Sequence, residues 1–153
     1  MVTLLRRFLV LIALMFWQGG FTFYAAVVVP VGQSVLQSHL EQGFITRQVT
    51  TYLNVAGAAA LLCLAWDGVA SKDPVASRRR VRWIAWLCMA LSLAVLIWLH
   101  GVLDGLMDAE TRSLLDGRSF RSLHRVYLWI STLQWGCAVV YCFVTLAAWR
   151  KAD

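Results

Sequence analysis

Charged residues in this chain are segregated, and the four apolar runs between them are each long enough to cross a bilayer. The first runs from Phe8 to about Val31, where Pro30 and Gly32 are expected to stop it; the second is Val49 to Trp66, the third Val81 to about Leu103, and the fourth Val126 to Trp149. At a rise of about 1.5 Å per residue, each can span a hydrocarbon core of roughly 30 Å. The runs lack the alternation of barrel strands, so helices, which satisfy their own backbone in lipid, are the expected form. With 60% hydrophobic and 14% charged residues, against roughly 25% charged in soluble domains, a solvated globule, a disordered chain and a disulfide-stapled secreted domain are excluded. The expectation is an all-α integral membrane protein, a four-helix transmembrane bundle with short helical extracytoplasmic connections, forming a single domain over residues 1–153.

Arg6 and Arg7 would also suit a cleaved signal peptide. The apolar stretch behind them is longer than a signal core, however, and Ala25-Ala26 is only a weak cleavage site, so the run reads as a retained span. Orientation follows from the basic residues. Arg6, Arg7, Lys72, Arg78, Arg79, Arg80, Arg82, Arg150 and Lys151 fall on one side, with Asp67, Asp73 and Asp153. Arg47, Arg112, Arg118, Arg121 and Arg125 fall on the other, balanced by Glu41, Asp104, Asp108, Glu110 and Asp116. The first side therefore carries the whole net charge of +6 and is expected to be cytoplasmic, with both termini, in a bacterial inner membrane. The basic excess implies contact with anionic lipid head groups rather than nucleic acid. Trp66, Trp83 and Trp149 mark the cytoplasmic interface, Trp98 and Trp129 lie toward the other, and Trp17, Trp86 and Trp135 are deeper packing residues.

The connections read differently. Asp67 to Arg80 reads as a short flexible loop lying on head groups. In Gln33 to Arg47, Leu36, Leu40 and Phe44 recur every four residues, as in a helix lying flat on the membrane. The third helix is expected to extend past the bilayer, with the chain returning through a short helical hairpin and a turn at Asp116-Gly117.

All three histidines, His39, His100 and His124, fall on the outer side. His100, Asp104 and Asp108 are spaced four apart and form one helical stripe, while His124 opens the antiparallel fourth helix. Imidazoles and carboxylates at one depth suit copper, iron or zinc, and histidines on facing helices suit haem. The plainer alternative is interfacial packing, with Asp104 and Asp108 paired to Arg121 or Arg125. Within the spans, Gln18, Gly19, Gly20, Thr22 and Tyr24, then Thr50, Thr51, Asn54 and Gly57, then Tyr127, Ser131, Thr132, Gln134 and Gly136 read as helix-contact residues. The alternative is a polar cavity lined by Thr50, Asn54, Tyr127 and Ser131. Cys63, Cys88, Cys137 and Cys142 all lie inside spans as small hydrophobes, poorly placed for oxidative pairing. No acid or base sits at the midplane, and no nucleophile–base pair suggests an enzyme.

The segment Gly20-Phe-Thr-Phe-Tyr-Ala-Ala-Val-Val-Val-Pro30 resembles the close of the first helix in small bacterial four-helix membrane families, distantly similar to copper-resistance-D-like proteins. The resemblance implies copper handling at the outer face and carries over no site residue. Two functional expectations follow: a metal or haem site from His100, Asp104, His124, His39 and Asp108, or an accessory or assembly subunit that docks on other membrane subunits or on its own copies.

Overall fold

A computed structural model describes residues 1–71, 73–108 and 113–150; Lys72, Glu110, Arg112, Lys151 and Asp153 of the charge balance lie outside this set. Four helices make up almost all of it: α1 (Val2–Leu36), α2 (His39–Ala70), α3 (Ala76–Asp104) and α4 (Gly117–Arg150), each long and apolar enough to cross a membrane. Each packs beside the next, most extensively α3 on α4. Arg6 in α1 reaches Asp67 near the end of α2, and Arg82 near the start of α3 reaches the same carboxylate. Both termini and the α2–α3 connection thus share one end, the arginine end. His39, His100 and His124 mark the other, the histidine end.

Two connections depart from expectation. Pro30 does not stop the first helix. It has no N–H to donate to the Ala26 carbonyl and its ring crowds that carbonyl, and the helix widens into a π-turn over Tyr24–Val28 before continuing to Leu36. A second π-turn covers Met15–Gly19, beside the flexible Gly19-Gly20 pair. Gln37 then ends α1 in the left-handed region at φ 50°. The expected flat interfacial helix is instead the first turns of α2, which starts at once after Ser38. The Ser38 hydroxyl accepts the Glu41 N–H at 3.2 Å, the start of a capping box. After α3 the chain returns not through a helical hairpin but through two short antiparallel strands, β1 (Met107–Asp108) and β2 (Ser113–Leu114), with Met107 opposite Leu114. Asp116 is the cap of α4: its carboxylate accepts the Arg118 and Ser119 N–H groups at 2.9 and 3.1 Å. These bonds, the Ser119 hydroxyl foremost, hold its pKa below the ordinary 3.8.

The core gathers Val10, Leu14 and Trp17 of α1, Ala60, Leu61 and Leu64 of α2, Ala85, Met89 and Leu93 of α3, and Ala138, Tyr141 and Trp149 of α4. Polar side chains reach across it to backbone carbonyls. Trp86 Nε1 donates to Leu61 at 2.9 Å, Gln134 Nε2 to Met89 at 3.2 Å, and the Tyr141 hydroxyl to Leu64 at 2.8 Å. Such bonds between helices contribute about 1 kcal/mol each in an apolar surrounding. Trp135, expected among the deeper packing residues, is partly exposed and donates to Thr22 of α1 at 3.1 Å. Gly57 accepts the Trp17 indole so closely that a Cβ there would lie 2.7 Å from the ring. Gly32 makes similar room for the buried amide of Gln42, which donates to the Tyr24 hydroxyl at 3.3 Å while Tyr24 bonds Thr46. The four cysteines are free, and Cys88 and Cys137 are neighbours across the α3–α4 contact.

The Asp67–Arg80 connection is pinned rather than loose. Asp73 is buried and takes two bonds of 2.6 Å from Arg78 and one of 2.9 Å from the Val75 N–H, and Arg78 also donates to Ala147 of α4. The Arg78 guanidinium holds the Asp73 carboxyl below its ordinary 3.8, with the Val75 N–H adding to the effect. A carboxylate whose folded pKa is depressed contributes stability above its unfolded pKa and loses it as pH falls through the folded one. Acid below the ordinary 3.8 should therefore weaken the wild-type bundle through this pair. Asp73→Asn should be less stable at neutral pH and lose less on acidification; melting temperatures in detergent across pH 3 to 7 check this.

Candidate functional site

At the histidine end, two i,i+4 stripes on antiparallel helices face each other. Arg47 and Thr51 lie on α2, His100 and Asp104 on α3, so that the first residue of one stripe meets the second of the other. Arg47 Nε approaches one Asp104 oxygen at 3.1 Å, and His100 Nε2 lies 3.6 Å from the other. Thr51 Oγ1 is 3.2 Å from the same imidazole nitrogen, the direction of that bond depending on the tautomer. The group is partly open, with the His100 side chain 17% and that of Asp104 26% exposed.

Of the five residues expected to form a metal site, His100 and Asp104 are brought together. His39 begins α2, Asp108 lies in β1, and His124 stacks on Phe120 with ring planes 5° apart. Among the described residues, no group of three or more His, Cys, Asp or Glu side chains is placed to hold a metal ion. The electrostatics point the same way. Asp104 already faces a guanidinium, which occupies the position a cation would take, and His100 Nε2 already has a hydroxyl and a carboxylate beside it. The arginine partner of Asp104 is Arg47, not Arg121 or Arg125. The expected polar cavity residue Ser131 is buried, and its hydroxyl donates to the Tyr127 carbonyl in its own helix.

The densest polar constellation lies at the arginine end, among residues counted above only as topology signals. Asp67 is 0% exposed. It accepts Arg6 Nε at 2.8 Å on one oxygen and Arg82 at 2.6 Å on the other. Arg82, 3% exposed, also donates to Ser71 at 2.9 Å and lies over the Tyr141 ring at 5.5 Å. Arg7 lies over Trp149 at the same distance. One carboxylate thus joins α1, α2 and α3, and Arg82 carries the link to α4. The signal was present in the sequence: an acid at the last turn of an apolar run is costly unless paired. What the sequence lacks is the address of its partners, sixty-one residues upstream and fifteen downstream.

Each constellation ties helices together through one carboxylate, which meets one guanidinium at the histidine end and two at the arginine end. Their chemistry is that of clamps. The chain matches no protein-family model, and no similar protein is found among curated proteins or solved structures.

Proposed function

We propose that this chain is a multi-pass inner-membrane protein with both termini cytoplasmic, working as a non-catalytic accessory or assembly subunit of a larger membrane complex. The observation that carries this reading is the outward face. Phe16, Leu62, Leu91 and Phe143, one from each helix, are each at least 60% exposed, whereas Asp67, Arg82, Gln42 and Gln134 are buried inside. A bundle that is apolar outside and polar inside suits hydrocarbon surroundings. The Asp67, Asp73, Asp104 and Asp116 carboxylates are all engaged in holding the bundle's ends, so the working surface left is the helix faces. Surplus Arg79 and Arg80, both exposed at the arginine end, fit anionic head groups on the cytoplasmic side.

A second reading, a transition-metal or haem site with copper among the candidate ions, rests on the His100–Asp104 pair alone. One preparation separates the two. The protein is extracted from its own membranes in mild detergent and analysed by native gel, optical spectrum and elemental analysis. The subunit reading expects a discrete complex with a second membrane protein in fixed ratio, colourless and metal-free, and unchanged by His100→Ala. A Soret band, or near-stoichiometric metal lost in His100→Ala, overturns it.

A further inference from the structure

The arginine end carries a charge that its own buried groups do not cancel. Asp67, 0% exposed, faces two guanidiniums: Arg82, 3% exposed, and Arg6, whose side chain is 12% exposed. One negative charge against two positive ones leaves +1 among groups almost out of water. The other acid described at this end, Asp73, is matched by Arg78. Arg82 also has a donor left over. Its two Nη groups go to Asp67 and Ser71, while its buried Nε has no partner among the described residues. An uncompensated buried charge and an unmet buried donor each cost free energy. Beside Arg82 a narrow crevice lies between α2, α3 and α4, lined also by Leu64, Gly68, Arg79, Trp83 and Tyr141. As it stands the crevice has no room for a water molecule, so solvent does not meet the donor there.

We infer that this crevice binds a phosphate group carrying one negative charge, gripped by Arg79 and Arg82: the phosphodiester of an anionic lipid, or a free phosphate ion. Charge sets the class, because a monoanion brings the buried cluster to zero. Phosphate suits the donors, because a guanidinium presents a planar fork that matches two of its oxygens. Arg79 has that fork free: it is exposed, and its side chain has no partner among the described residues. Its long stem lets it swing out of the crevice and close again over an oxygen that reaches Arg82 Nε. The remaining walls are mostly apolar, so that contact is poorly screened and correspondingly strong. The lipid source rests on the membrane reading above. On it, Arg79 stands one helical turn, about 6 Å, outside the interfacial Trp83, at the depth of lipid phosphates. Arg80 is equally exposed but does not line the crevice.

These two neighbouring arginines supply the test, because reversing either one changes the net charge by the same amount. The full-length protein in mild detergent is melted against rising sodium phosphate, dioctanoyl phosphatidylglycerol or dioctanoyl phosphatidylcholine, with ionic strength held constant by sodium chloride. A ligand of the folded state raises the melting temperature once its concentration passes Kd. Phosphatidylglycerol should stabilise the wild type, and phosphatidylcholine, whose choline cancels the phosphate charge, should not. Arg79→Glu should raise the apparent Kd by about tenfold or more, while Arg80→Glu should change it little. Arg79→Gln, which removes the charge without reversing it, decides if Arg79→Glu is not recovered. Stabilisation by phosphatidylglycerol alone assigns the site to lipid; an equal response to inorganic phosphate assigns it to the free ion. Equal losses in Arg79→Glu and Arg80→Glu would reduce the effect to surface charge and overturn the site. So would stabilisation by phosphatidylcholine as strong as by phosphatidylglycerol, or none by either phosphatidylglycerol or phosphate. A wild type that responds to phosphate but does not partition into vesicles would instead overturn the membrane reading and leave the phosphate site standing.

Discussion

Asp67→Ala is expected to destabilise the bundle by about 3–5 kcal/mol, the range for removing one partner of a buried ion pair. The loss comes less from the attraction removed than from what is left behind. Arg82 is almost wholly buried, and Arg6, 12% exposed, loses the carboxylate its Nε donates to. An ordinary domain is stable by only about 5–15 kcal/mol, so the variant should be recovered poorly and melt early in detergent. Asp67→Asn keeps the shape and part of the hydrogen bonding and should fall between. Arg6→Ala should cost less than Arg82→Ala, because Arg6 is nearer the surface and its loss leaves Arg82 still bonded to Asp67. The double variant Asp67→Leu with Arg82→Met should be milder than Asp67→Ala, since replacing a buried pair by packed apolar groups is often neutral or favourable. Thermal unfolding of the five proteins in one detergent checks the order. A double variant as unstable as Asp67→Ala would show that Arg82 matters through Ser71 and Tyr141 rather than through the carboxylate.

Gly57 is the second position where one change should have a large effect. A Cβ there would lie 2.7 Å from two atoms of the Trp17 indole, which is itself 3% exposed and packed in the core. A buried ring cannot swing aside as a long flexible side chain can. Gly57→Ala should therefore destabilise by about 1–3 kcal/mol, the usual range for overpacking, and Gly57→Leu should prevent α1 from closing on α2. Trp17→Phe, which removes the indole atoms nearest Gly57, should recover much of the loss in Gly57→Ala while costing stability in the wild type. Size-exclusion profiles and melting temperatures of the four proteins read this coupling. Additive effects of Gly57→Ala and Trp17→Phe would show that the two side chains do not meet.

Four helices, their approximate positions and the common end of both termini were legible in the chain. Apolar length and charge segregation are local properties, and a bilayer-length apolar run leaves the backbone little choice but a helix. Within-helix stripes were legible too: His100 and Asp104 do meet, because a spacing of four fixes their neighbourhood in any helix. Thr51 and Arg47 were not tied to that stripe, since nothing in a single sequence states how far two antiparallel helices slide against each other. The break expected at Pro30 is absent for a different reason: a helix can widen into a π-turn where its partner packs against it, instead of ending. The short β-pairing beside Asp104 replaced an expected helical hairpin although Met107 and Leu114 are good helix formers, because the pairing of the two segments overrides local propensity.

The sequence by itself determined that this chain has four apolar helices and an arginine-rich end, because hydropathy and charge act residue by residue. Only the tertiary structure decided which charges are topology signals and which are clamps. Asp67, Arg6 and Arg82 looked like interfacial charges until the packing of α1, α2 and α3 brought them within hydrogen-bonding distance and closed water out. The same packing set the Arg47 guanidinium against Asp104, where the sequence had suggested a metal ligand. Each of these depends on the register between helices, which is set by side-chain shape across the whole contact and by no single segment.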